Sequence, residues 1–432
     1  MIDLPDAFLS SISRQLHSEM PAFLATYENE AVRALRRNPL KPVPDSALPP
    51  HGLTVPWEHE GILIPSDSAA GTHPLHEAGA WYLQEPGAML PVAVLNPQPG
   101  EKVLDLCAAP GGKSTQIAGR MLGRGLLVCN EPVKKRAMIL SRNIERLGVT
   151  NALVVSAAPE ALAGQWPEGF DAVLVDAPCS GEGMFRRHPE TISEWSPQIA
   201  EGCAVRQTGI LEAASMLVRP GGRLVYSTCT FNSLENEENV KAFLLRHRDF
   251  SLQAFSLPGA AAPDGHFTCW PHHVQTEGQF AALLVRHGDG KAILPPSARQ
   301  HQPDRTALRC LASFCAQAPR ANLVIGNTLA CLPFYPDCGR IPVLRAGLHL
   351  GEARENYFMP DHALAMACEH PPFPCVPVSA EEARRFQAGE ILRVDEGFQG
   401  WVYPTLSGLP LGWGKAVSGQ LKNHYPKGLR RP

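Results

Sequence analysis

The sequence predicts an α/β protein whose central sheet is parallel and is covered by helices on both faces. Short apolar runs alternate with helical stretches through residues 79–288, a pattern typical of parallel strands joined by helical crossovers. The chain has 432 residues, of which 44% are hydrophobic, so it can bury a large core. Ligands of such folds bind beyond the carboxyl ends of the strands.

The elements of this sheet can be read along the chain. The predicted strands are Val103–Leu106, Leu126–Val128, Leu153–Val155, Ala172–Val175, Leu224–Tyr226 and Ala281–Val285. The predicted helices include Val133–Leu147, Gln198–Leu217 and Glu235–Leu244. Side chains that directly follow the strands are therefore candidates for function.

Residues 1–78 are predicted to form a helical, RNA-binding lead-in. Apolar residues recur with helical spacing from Phe8 to Met20, after Pro5. The basic residues that follow are Arg33, Arg36, Arg37 and Lys41. A solvated face and a phosphate-binding role both account for them, and we expect a positive stripe from this segment across the cleft to the C-terminal tail.

Residues 289–375 are predicted to form an intermediate domain, and residues 376–432 a second C-terminal domain. Arg340–Leu350 is predicted as a strand with a turn. Ser379 begins a capping box, and Gly389 should end the helix that follows. From Trp401 onward the pattern predicts short strands and turns. The prolines expected to mark a linker are Pro371, Pro372, Pro374 and Pro377.

Composition excludes several classes of protein. A formal net charge of −3 excludes a uniformly basic nucleic-acid coat protein. Twelve cysteines are too few for a disulfide scaffold, and no Cys-x-x-Cys pair indicates a structural zinc site. Neither a basic leader with an apolar stretch nor a long apolar run occurs. We therefore expect a cytoplasmic protein with reduced thiols, no membrane association and no metal.

Small residues fill Cys107–Lys113, between a predicted strand and a predicted helix. Such residues let the backbone approach a ligand, and free amides at a helix start favour a carboxylate or phosphate. A phosphate-binding P-loop needs Gly six positions before its Lys, where Cys107 stands. The spaced glycines of a dinucleotide site are also absent, and a tight turn without a ligand is the alternative.

Glu131 follows the second predicted strand. An acidic side chain at this place can accept hydrogen bonds from both hydroxyls of a ribose. Together with the loop at Cys107–Lys113, it indicates a bound nucleoside that carries an amino-acid carboxylate.

Two cysteines follow the fourth and fifth predicted strands, in Asp176-Ala177-Pro178-Cys179 and Ser227-Thr228-Cys229. Either cysteine alone is typical of a small buried apolar residue. Two of them at adjacent carboxyl ends, with Asp176 close by, favour a shared cleft instead. Spacing alone leaves open which thiol is the nucleophile.

A thiol, an acid and a methyl donor together suit methylation of carbon 5 of cytosine. That carbon is a poor nucleophile, but a thiolate that adds to carbon 6 turns it into an enamine carbon. Asp176 could hydrogen-bond ring nitrogen 3 and take up the charge that the addition generates. A second thiol could assist the release of the first.

Three motifs resemble those of the RNA (cytosine-5) methyltransferases of the Sun and nucleolar-protein type, and among these the RsmF-like group that modifies small-subunit ribosomal RNA. The motifs are Cys107–Lys113, Asp176–Arg187 and Tyr226–Phe231. The resemblance covers nearly the whole chain. It implies a Rossmann-like S-adenosylmethionine-dependent methyltransferase sheet, a PUA-like RNA-binding C-terminal region, 16S rRNA or the 30S subunit as partner, and a monomer.

The resemblance also implies a role for each matching residue. Cys229 would be the nucleophile, Cys179 the thiol that helps release the product, and Asp176 would lie between cofactor and target base. Contacts to RNA would come from Arg186, Arg187, His188, Lys415, Lys422 and Lys427. The cofactor-binding residues would be Cys107, Ala108, Ala109, Pro110, Gly111, Gly112, Lys113, Glu131, Arg136, Ser156 and Asp176.

The third predicted strand departs from the family pattern. Ser156-Ala157-Ala158 stands where the family usually has an Asp or Asn that reaches the adenine amino group, so a backbone contact or Ser156 is left for that role. The alternative function is therefore an RNA-binding ribosome-assembly factor with weak or lost methyltransferase activity. A DNA cytosine methyltransferase is disfavoured, because Tyr226–Thr230 would then have no role. The C-terminal region could also be an ordinary capping domain.

Overall fold

A computed structural model describes residues 3–297, 302–355, 357–367 and 372–430. The first part contains α1 (Asp6–Leu16), α2 (Met20–Ala25), β1 (Ala34–Arg37), β2 (Thr54–Val55), β3 (Glu58–Leu63), α3 (Pro74–Glu77) and β4 (Trp81–Leu83). The strands form an antiparallel sheet in the order β2-β3-β1-β4. The helix after Pro5 is confirmed, and four short strands follow it, so the helical interpretation describes only part of residues 1–78. These strands are too short to leave a clear period-2 pattern in the sequence.

The central part alternates strands and helices as expected. Its elements are α4 (Leu90–Leu95), β5 (Lys102–Asp105), α5 (Gly112–Met121), β6 (Leu126–Asn130), α6 (Lys134–Arg146), β7 (Ala152–Val155), α7 (Pro159–Gln165), β8 (Phe170–Asp176), α8 (Pro197–Leu217), β9 (Val218–Thr228), α9 (Glu237–Arg246), β10 (Phe250–Leu252), β11 (Phe255–Leu257), β12 (Ala260–Ala262), β13 (His266–Cys269) and β14 (Gln279–Arg286). Each of the six predicted strands and three predicted helices overlaps an element of this series.

The C-terminal part contains two further sheets and three helices within the described residues. Its elements are α10 (Arg305–Phe314), β15 (Leu323–Ile325), β16 (Thr328–Cys331), β17 (Val343–Ala346), β18 (Leu348–Ala353), β19 (Phe358–Pro360), α11 (His362–Met366), β20 (Cys375–Pro377), α12 (Ala380–Ala388), β21 (Leu392–Arg393), β22 (Gly400–Leu406), β23 (Leu409–Pro410), β24 (Gly414–Val417) and β25 (Gln420–Asn423). The capping box at Ser379 and the end of its helix at Gly389 are confirmed.

The central sheet is mixed rather than parallel. Its strand order is β10-β14-β9-β8-β5-β6-β7-β17, with β13 also paired to β14. The five strands from β9 to β7 in this order are parallel, whereas β14 and β17 run antiparallel to their neighbours. The expectation of a parallel sheet is therefore wrong at both edges, because an apolar run reports burial and not strand direction.

Helices cover both faces of the central sheet, as the sequence predicts. One face packs against α4, α5 and α6, with Leu140 and Ile144 among the buried contacts. The other face packs against α7, α8 and α9, with Leu211 and Phe243 among the contacts. Alternate residues of each strand enter the two cores, so that Val103 belongs to the first and Leu104 to the second. Because β9, β8, β5, β6 and β7 are parallel, their carboxyl ends all lie at one edge of the sheet.

The segment expected as a proline linker is partly a strand. Pro377 ends β20, the edge strand of the C-terminal sheet β20-β22-β24-β25-β21, where a residue without an N–H is tolerated. Pro371 lies outside the described residues. The C-terminal sheet shares a core with the first sheet, since Leu35 and Ile62 join the same cluster as Phe386 and Leu421.

Candidate active site

A cavity of about 590 Å³ opens at the carboxyl ends of the parallel strands. This is the edge at which parallel α/β sheets bind ligands. It collects residues from the loops after β5, β6, β7, β8 and β9, and from α8. The lining residues are Cys107, Ala109, Glu131, Pro132, Arg136, Ala158, Pro159, Glu160, Asp176, Ala177, Pro178, Cys179, Val205, Arg206, Gly209, Ile210 and Cys229.

The two predicted thiols meet in this cavity. Their Sγ atoms lie 3.2 Å apart, and the backbone N–H of Cys229 donates to Cys179 Sγ over 3.3 Å. The hydrogen bond to Cys229 and burial raise the pKa of Cys179 well above its ordinary value. At this separation either sulfur can donate a hydrogen bond to the other, so the geometry leaves the choice of nucleophile open.

Asp176 lies beside the thiols and is paired with Lys113. Lys113 Nζ is 2.7 Å from Asp176 Oδ2, and the hydroxyl of Ser227 donates to Asp176 Oδ1 over 3.3 Å. Burial lowers the pKa of Lys113, but the neighbouring carboxylate of Asp176 outweighs burial, and the net pKa is raised. A protonated ammonium thus faces the carboxylate at the floor of the cavity.

The loop after β5 is a tight turn held from outside. Gly111 has φ 115°, in the left-handed region that favours glycine. Arg136 Nη2 donates to the carbonyl of Ala109 over 3.1 Å, and Asn143 Nδ2 to that of Pro110 over 2.9 Å. Of the predicted loop residues, Cys107 and Ala109 line the cavity and Lys113 reaches it through Asp176. The turn itself is formed by Ala108, Pro110, Gly111 and Gly112.

Glu131 and Arg136 occupy the predicted place after β6. The carboxylate of Glu131 is buried at the cavity wall, where it accepts the N–H of Val133 over 2.9 Å and lies 3.3 Å from Arg136. Ser156 is not brought into the cavity, because its hydroxyl donates to the carbonyl of Pro132 over 3.2 Å. The expected contact with the cofactor, through the backbone or through Ser156, stays a prediction. Ala158, Pro159 and Glu160 form that wall instead.

Arg186, expected to contact RNA, is engaged inside the protein. Its side chain is 8% exposed and lies 2.8 Å from the buried carboxylate of Glu277. It also donates to the carbonyls of Thr26 and Thr276, each over 2.9 Å. The expectation for Arg186 is wrong, because the N-terminal segment covers this loop and saturates the guanidinium. Arg187 is half-buried, and His188 is exposed.

The N-terminal basic residues are not a continuous exposed patch. Arg36 is buried and donates to the carbonyl of Gly112 over 2.8 Å and to Thr115 Oγ1 over 2.8 Å. Lys41 is also buried, which lowers its pKa to about 7. The expected positive stripe is therefore wrong at these two positions, since β1 carries Arg36 into the first sheet. For Arg36, neither the interpretation as part of a solvated face nor that as a phosphate-binding residue fits.

The basic residues of the C-terminal region remain exposed. Lys415, Lys422 and Lys427 all face solvent, and Lys415 Nζ lies 5.8 Å from the ring centre of Trp401. Trp413 and Tyr425 are instead buried in the core of this region.

Among the described helices, none is both long and apolar enough to cross a membrane.

Sequence reasoning missed several polar residues around the thiols. Glu235 is buried and accepts hydrogen bonds from Ser180 and Gln207. Glu182 is also buried, and burial raises its pKa to about 7. Asp105, at the end of β5, is likewise raised by burial to a pKa of about 7. Polar residues within otherwise buried segments are the only signal that could have found them.

Four family models together match most of the chain. Residues 92–285 match the model described as 16S rRNA methyltransferase RsmB/F. Residues 4–86 match the N-terminal domain of 16S rRNA methyltransferase RsmF, residues 313–368 its first C-terminal domain, and residues 373–431 the methyltransferase RsmF PUA domain. The predicted α/β sheet with a PUA-like C-terminal region is confirmed.

Similar proteins carry related names. The chain is 34% identical to ribosomal RNA small subunit methyltransferase F of Klebsiella pneumoniae and 33% identical to that of Cronobacter sakazakii, and each match covers 99% of this chain and 96% of the relative. Among solved structures, a methyltransferase homologue from Pyrococcus horikoshii is 27% identical with a TM-score of 0.57, over 66% of this chain and 96% of that one.

Proposed function

The chain belongs to the RsmB/F family of 16S rRNA methyltransferases, and we propose that it methylates carbon 5 of a cytosine in 16S rRNA through a covalent cysteine adduct, with S-adenosylmethionine as donor. The protein acts as a cytoplasmic monomer in this proposal, on free 16S rRNA or on the 30S subunit. The four-part division at residues 78, 288 and 375 is also part of the proposal.

The observation that carries the proposal is the pair of thiols in one cavity. Cys179 and Cys229 are in sulfur–sulfur contact at 3.2 Å, and Asp176, which is paired with Lys113, lines the same cavity. A binding protein without catalysis has no use for two thiols held beside a charged pair. Covalent catalysis at a pyrimidine ring uses thiols to form and release the adduct and a charged pair to take up the charge on the ring.

The cavity fits S-adenosylmethionine by the chemistry of its walls. The carboxylate of Glu131 can accept hydrogen bonds from ribose hydroxyls, and Asp176 can face the positive charges of the cofactor. The wall at Ala158 and Pro159 is apolar, which suits a flat heterocycle. When bound, S-adenosylmethionine supplies the electrophilic methyl group that carbon 5 takes up.

Cys229 and Cys179 divide the covalent chemistry in this proposal. The thiolate of Cys229 adds to carbon 6 of the cytosine, which forms a sulfur–carbon bond and makes carbon 5 nucleophilic. After carbon 5 is methylated, its proton passes to water in the open cavity, the electron pair of that carbon–hydrogen bond restores the double bond between carbons 5 and 6, and the sulfur–carbon bond breaks with its electron pair on sulfur. The proton held by Cys179, whose pKa is raised, can then pass to the departing sulfur.

Lys113 and Asp176 handle the charge on the ring. Addition of a thiolate to carbon 6 pushes an electron pair toward ring nitrogen 3 and the carbonyl oxygen. Lys113 Nζ donates to Asp176 Oδ2 over 2.7 Å, so in this proposal a proton passes from the ammonium through Asp176 to nitrogen 3 as the thiolate adds. Positioned proton transfer of this kind contributes about 10²- to 10⁴-fold to a rate.

The target cytosine must leave its stack before carbon 6 is accessible, which costs a few kcal/mol. Arg187 and His188, which follow the Cys179 loop in the chain, are proposed contacts for the RNA backbone on either side of the target cytosine. We assign RNA binding away from the cavity to three exposed lysines of the C-terminal region, which are Lys415, Lys422 and Lys427. Phosphate contacts of this type provide affinity without sequence reading.

The test is transfer of a tritiated methyl group to 16S rRNA, as naked RNA and in 30S subunits. We expect incorporation with one of the two substrates, and bisulfite sequencing should then find a protected cytosine. A Cys229→Ala protein is the matched control without label transfer. RNA binding without incorporation on either substrate would contradict the proposal and favour the ribosome-assembly factor.

A further inference from the structure

Two consecutive buried residues lie in the turn between β9 and α9. Glu235 is 0% exposed and Asn236 is 1% exposed. The hydroxyl of Tyr226 donates to the carbonyl of Glu235 over 2.6 Å, which anchors the turn to the sheet. Neither side chain lines the cavity, so neither is placed to touch a substrate.

The side chain of Asn236 holds the strand end that carries Cys229. Thr228 Oγ1 donates to Asn236 Oδ1 over 2.6 Å, and Asn236 Nδ2 donates to the carbonyl of Thr230 over 3.0 Å. These two partners directly precede and directly follow Cys229. Both amide atoms of one side chain are therefore used to fix the backbone around a single thiol.

The side chain of Glu235 holds the loop that carries Cys179. Ser180 donates to this carboxylate with its backbone N–H over 3.0 Å and also with its hydroxyl. Gln207 Nε2 donates to Glu235 over 2.8 Å and to the carbonyl of Pro178 over 3.0 Å. Cys179 is thus held from both neighbours, through Ser180 directly and through Pro178 by way of Gln207.

Further contacts join the two halves. Ser180 Oγ and Thr230 Oγ1 are 2.9 Å apart, and each belongs to the residue that directly follows one of the thiols. Thr230 also hydrogen-bonds the carboxylate of Glu235, so the side chains of Glu235 and Asn236 belong to one polar network. In this network Glu235 holds mainly the loop of Cys179, and Asn236 holds the strand end of Cys229. Buried networks of this kind fix geometry only when every member is satisfied.

We propose that Glu235 and Asn236 are positioning residues with separate tasks, Glu235 for Cys179 and Asn236 for Cys229. This inference rests on the proposed division of work between the two thiols. Loss of Glu235 then disturbs release of the product, whereas loss of Asn236 disturbs formation of the adduct. A merely structural role for the turn would affect both steps alike.

The first test measures the denaturation-resistant adduct between protein and 16S rRNA. Glu235→Gln should accumulate the adduct, as we also expect for Cys179→Ala, and turnover should fall on the order of 10- to 100-fold, the range for a misplaced group near the chemistry. Asn236→Ala should lose adduct and turnover together, as we also expect for Cys229→Ala. Glu238→Ala is the matched control, because this exposed acid in the same region contacts Ser233 and not the thiol loops.

The second test needs no substrate. Diamide accepts two electrons and two protons as it joins two thiols into a disulfide, and the rate of this cross-link reports how well the sulfurs are held together. Peptide mass spectrometry should find a rapid Cys179–Cys229 cross-link in the wild type and in Glu238→Ala. In Glu235→Gln and Asn236→Ala the cross-link should form on the order of 10-fold more slowly.

The outcomes separate the inference from the proposed function. Unchanged cross-linking in both variants, with native circular dichroism, overturns the positioning role whatever the enzyme does. Identical losses of adduct in Glu235→Gln and Asn236→Ala overturn the separate tasks. Slower cross-linking in folded variants, together with a wild type that methylates no RNA, supports the positioning role and contradicts only the proposed function. Glu235→Asp, which keeps the carboxylate, should recover part of the cross-linking rate, and no recovery in a folded protein counts against the inference.

Discussion

The Sγ atoms of Cys179 and Cys229 lie 3.2 Å apart, although the two residues are fifty positions apart in the chain. The contact follows from the sheet, because β8 and β9 are parallel neighbours and Asp176 is paired in register with Ser227. The two loops therefore leave the sheet side by side.

The two thiols should give opposite phenotypes. Cys229→Ala should abolish methyl transfer and form no adduct, because no sulfur remains to add to carbon 6. Cys179→Ala should trap protein on RNA, because the departing sulfur loses its proton source. Denaturing gel electrophoresis with labelled RNA measures the adduct, and Cys203→Ala in α8 is a thiol control. Normal turnover by Cys179→Ala would refute this division of work.

Lys113 should be needed for chemistry more than for folding. Lys113→Met removes the ammonium that lies 2.7 Å from Asp176, so single-turnover methyl transfer should fall about 10²- to 10⁴-fold. The exposed Lys135 of α6 is the matched control, as Lys135→Met. A Lys113→Met enzyme that retains the single-turnover rate of the wild type would argue against a role of Lys113 in proton transfer.

Glu182 should make stability depend on pH. Its pKa is raised by burial from 4.5 to about 7, so the folded state binds its proton more tightly than the unfolded state does. This contribution to stability is present below pH 4.5 and is lost as the pH rises through 7. In Glu182→Gln this group has no proton to lose, so its contribution to stability should not change with pH. Between pH 4.5 and 8 the unfolding free energy of the wild type should therefore fall by about 3 kcal/mol more than that of Glu182→Gln. Urea unfolding at pH values from 4.5 to 8 measures this difference. Unfolding free energies that change with pH in parallel in both proteins would contradict the prediction.

Arg186 should matter for stability rather than for RNA. Arg186→Ala leaves the 1% exposed carboxylate of Glu277 without its cation, which should cost about 3–5 kcal/mol of unfolding free energy. Arg187→Ala is the control, since the hydrogen bond that its side chain makes within the described part of the chain is a long one, to the carbonyl of Val32. Urea unfolding compares the two. An Arg186→Ala protein of wild-type stability with weakened RNA binding would restore the interpretation based on sequence.

The three exposed lysines of the C-terminal region should set the salt dependence of RNA binding. Replacing Lys415, Lys422 and Lys427 by Ala should reduce the slope of log affinity against log salt by about 0.7 for each phosphate contact that is lost. Fluorescence anisotropy with an RNA fragment measures this slope. The charge-matched control replaces Lys241, Arg248 and Lys291, which are also exposed. Equal slopes for both triple variants would exclude a specific role for the tail.

Local patterns in the sequence were sufficient for most elements of the central sheet and for the candidate cavity. Buried strands such as β6 are continuous apolar runs, and the helix at Ser379 shows its cap directly in the sequence. The motifs at Cys107, Asp176 and Cys229 follow strand ends, and strand ends of a parallel sheet meet at one edge. Short-range periodicity and fold geometry together therefore brought these residues into one site.

Other features depend on contacts between distant segments, which no local pattern records. Strand direction at β14 and β17, the burial of Arg36 in β1 and the pairing of Arg186 with Glu277 are of this kind. A charged side chain looks the same in sequence whether it faces water or a buried partner, because its free energy depends on neighbours brought in by folding. The network of Glu235 and Asn236 around the thiols was for the same reason visible only in the folded chain.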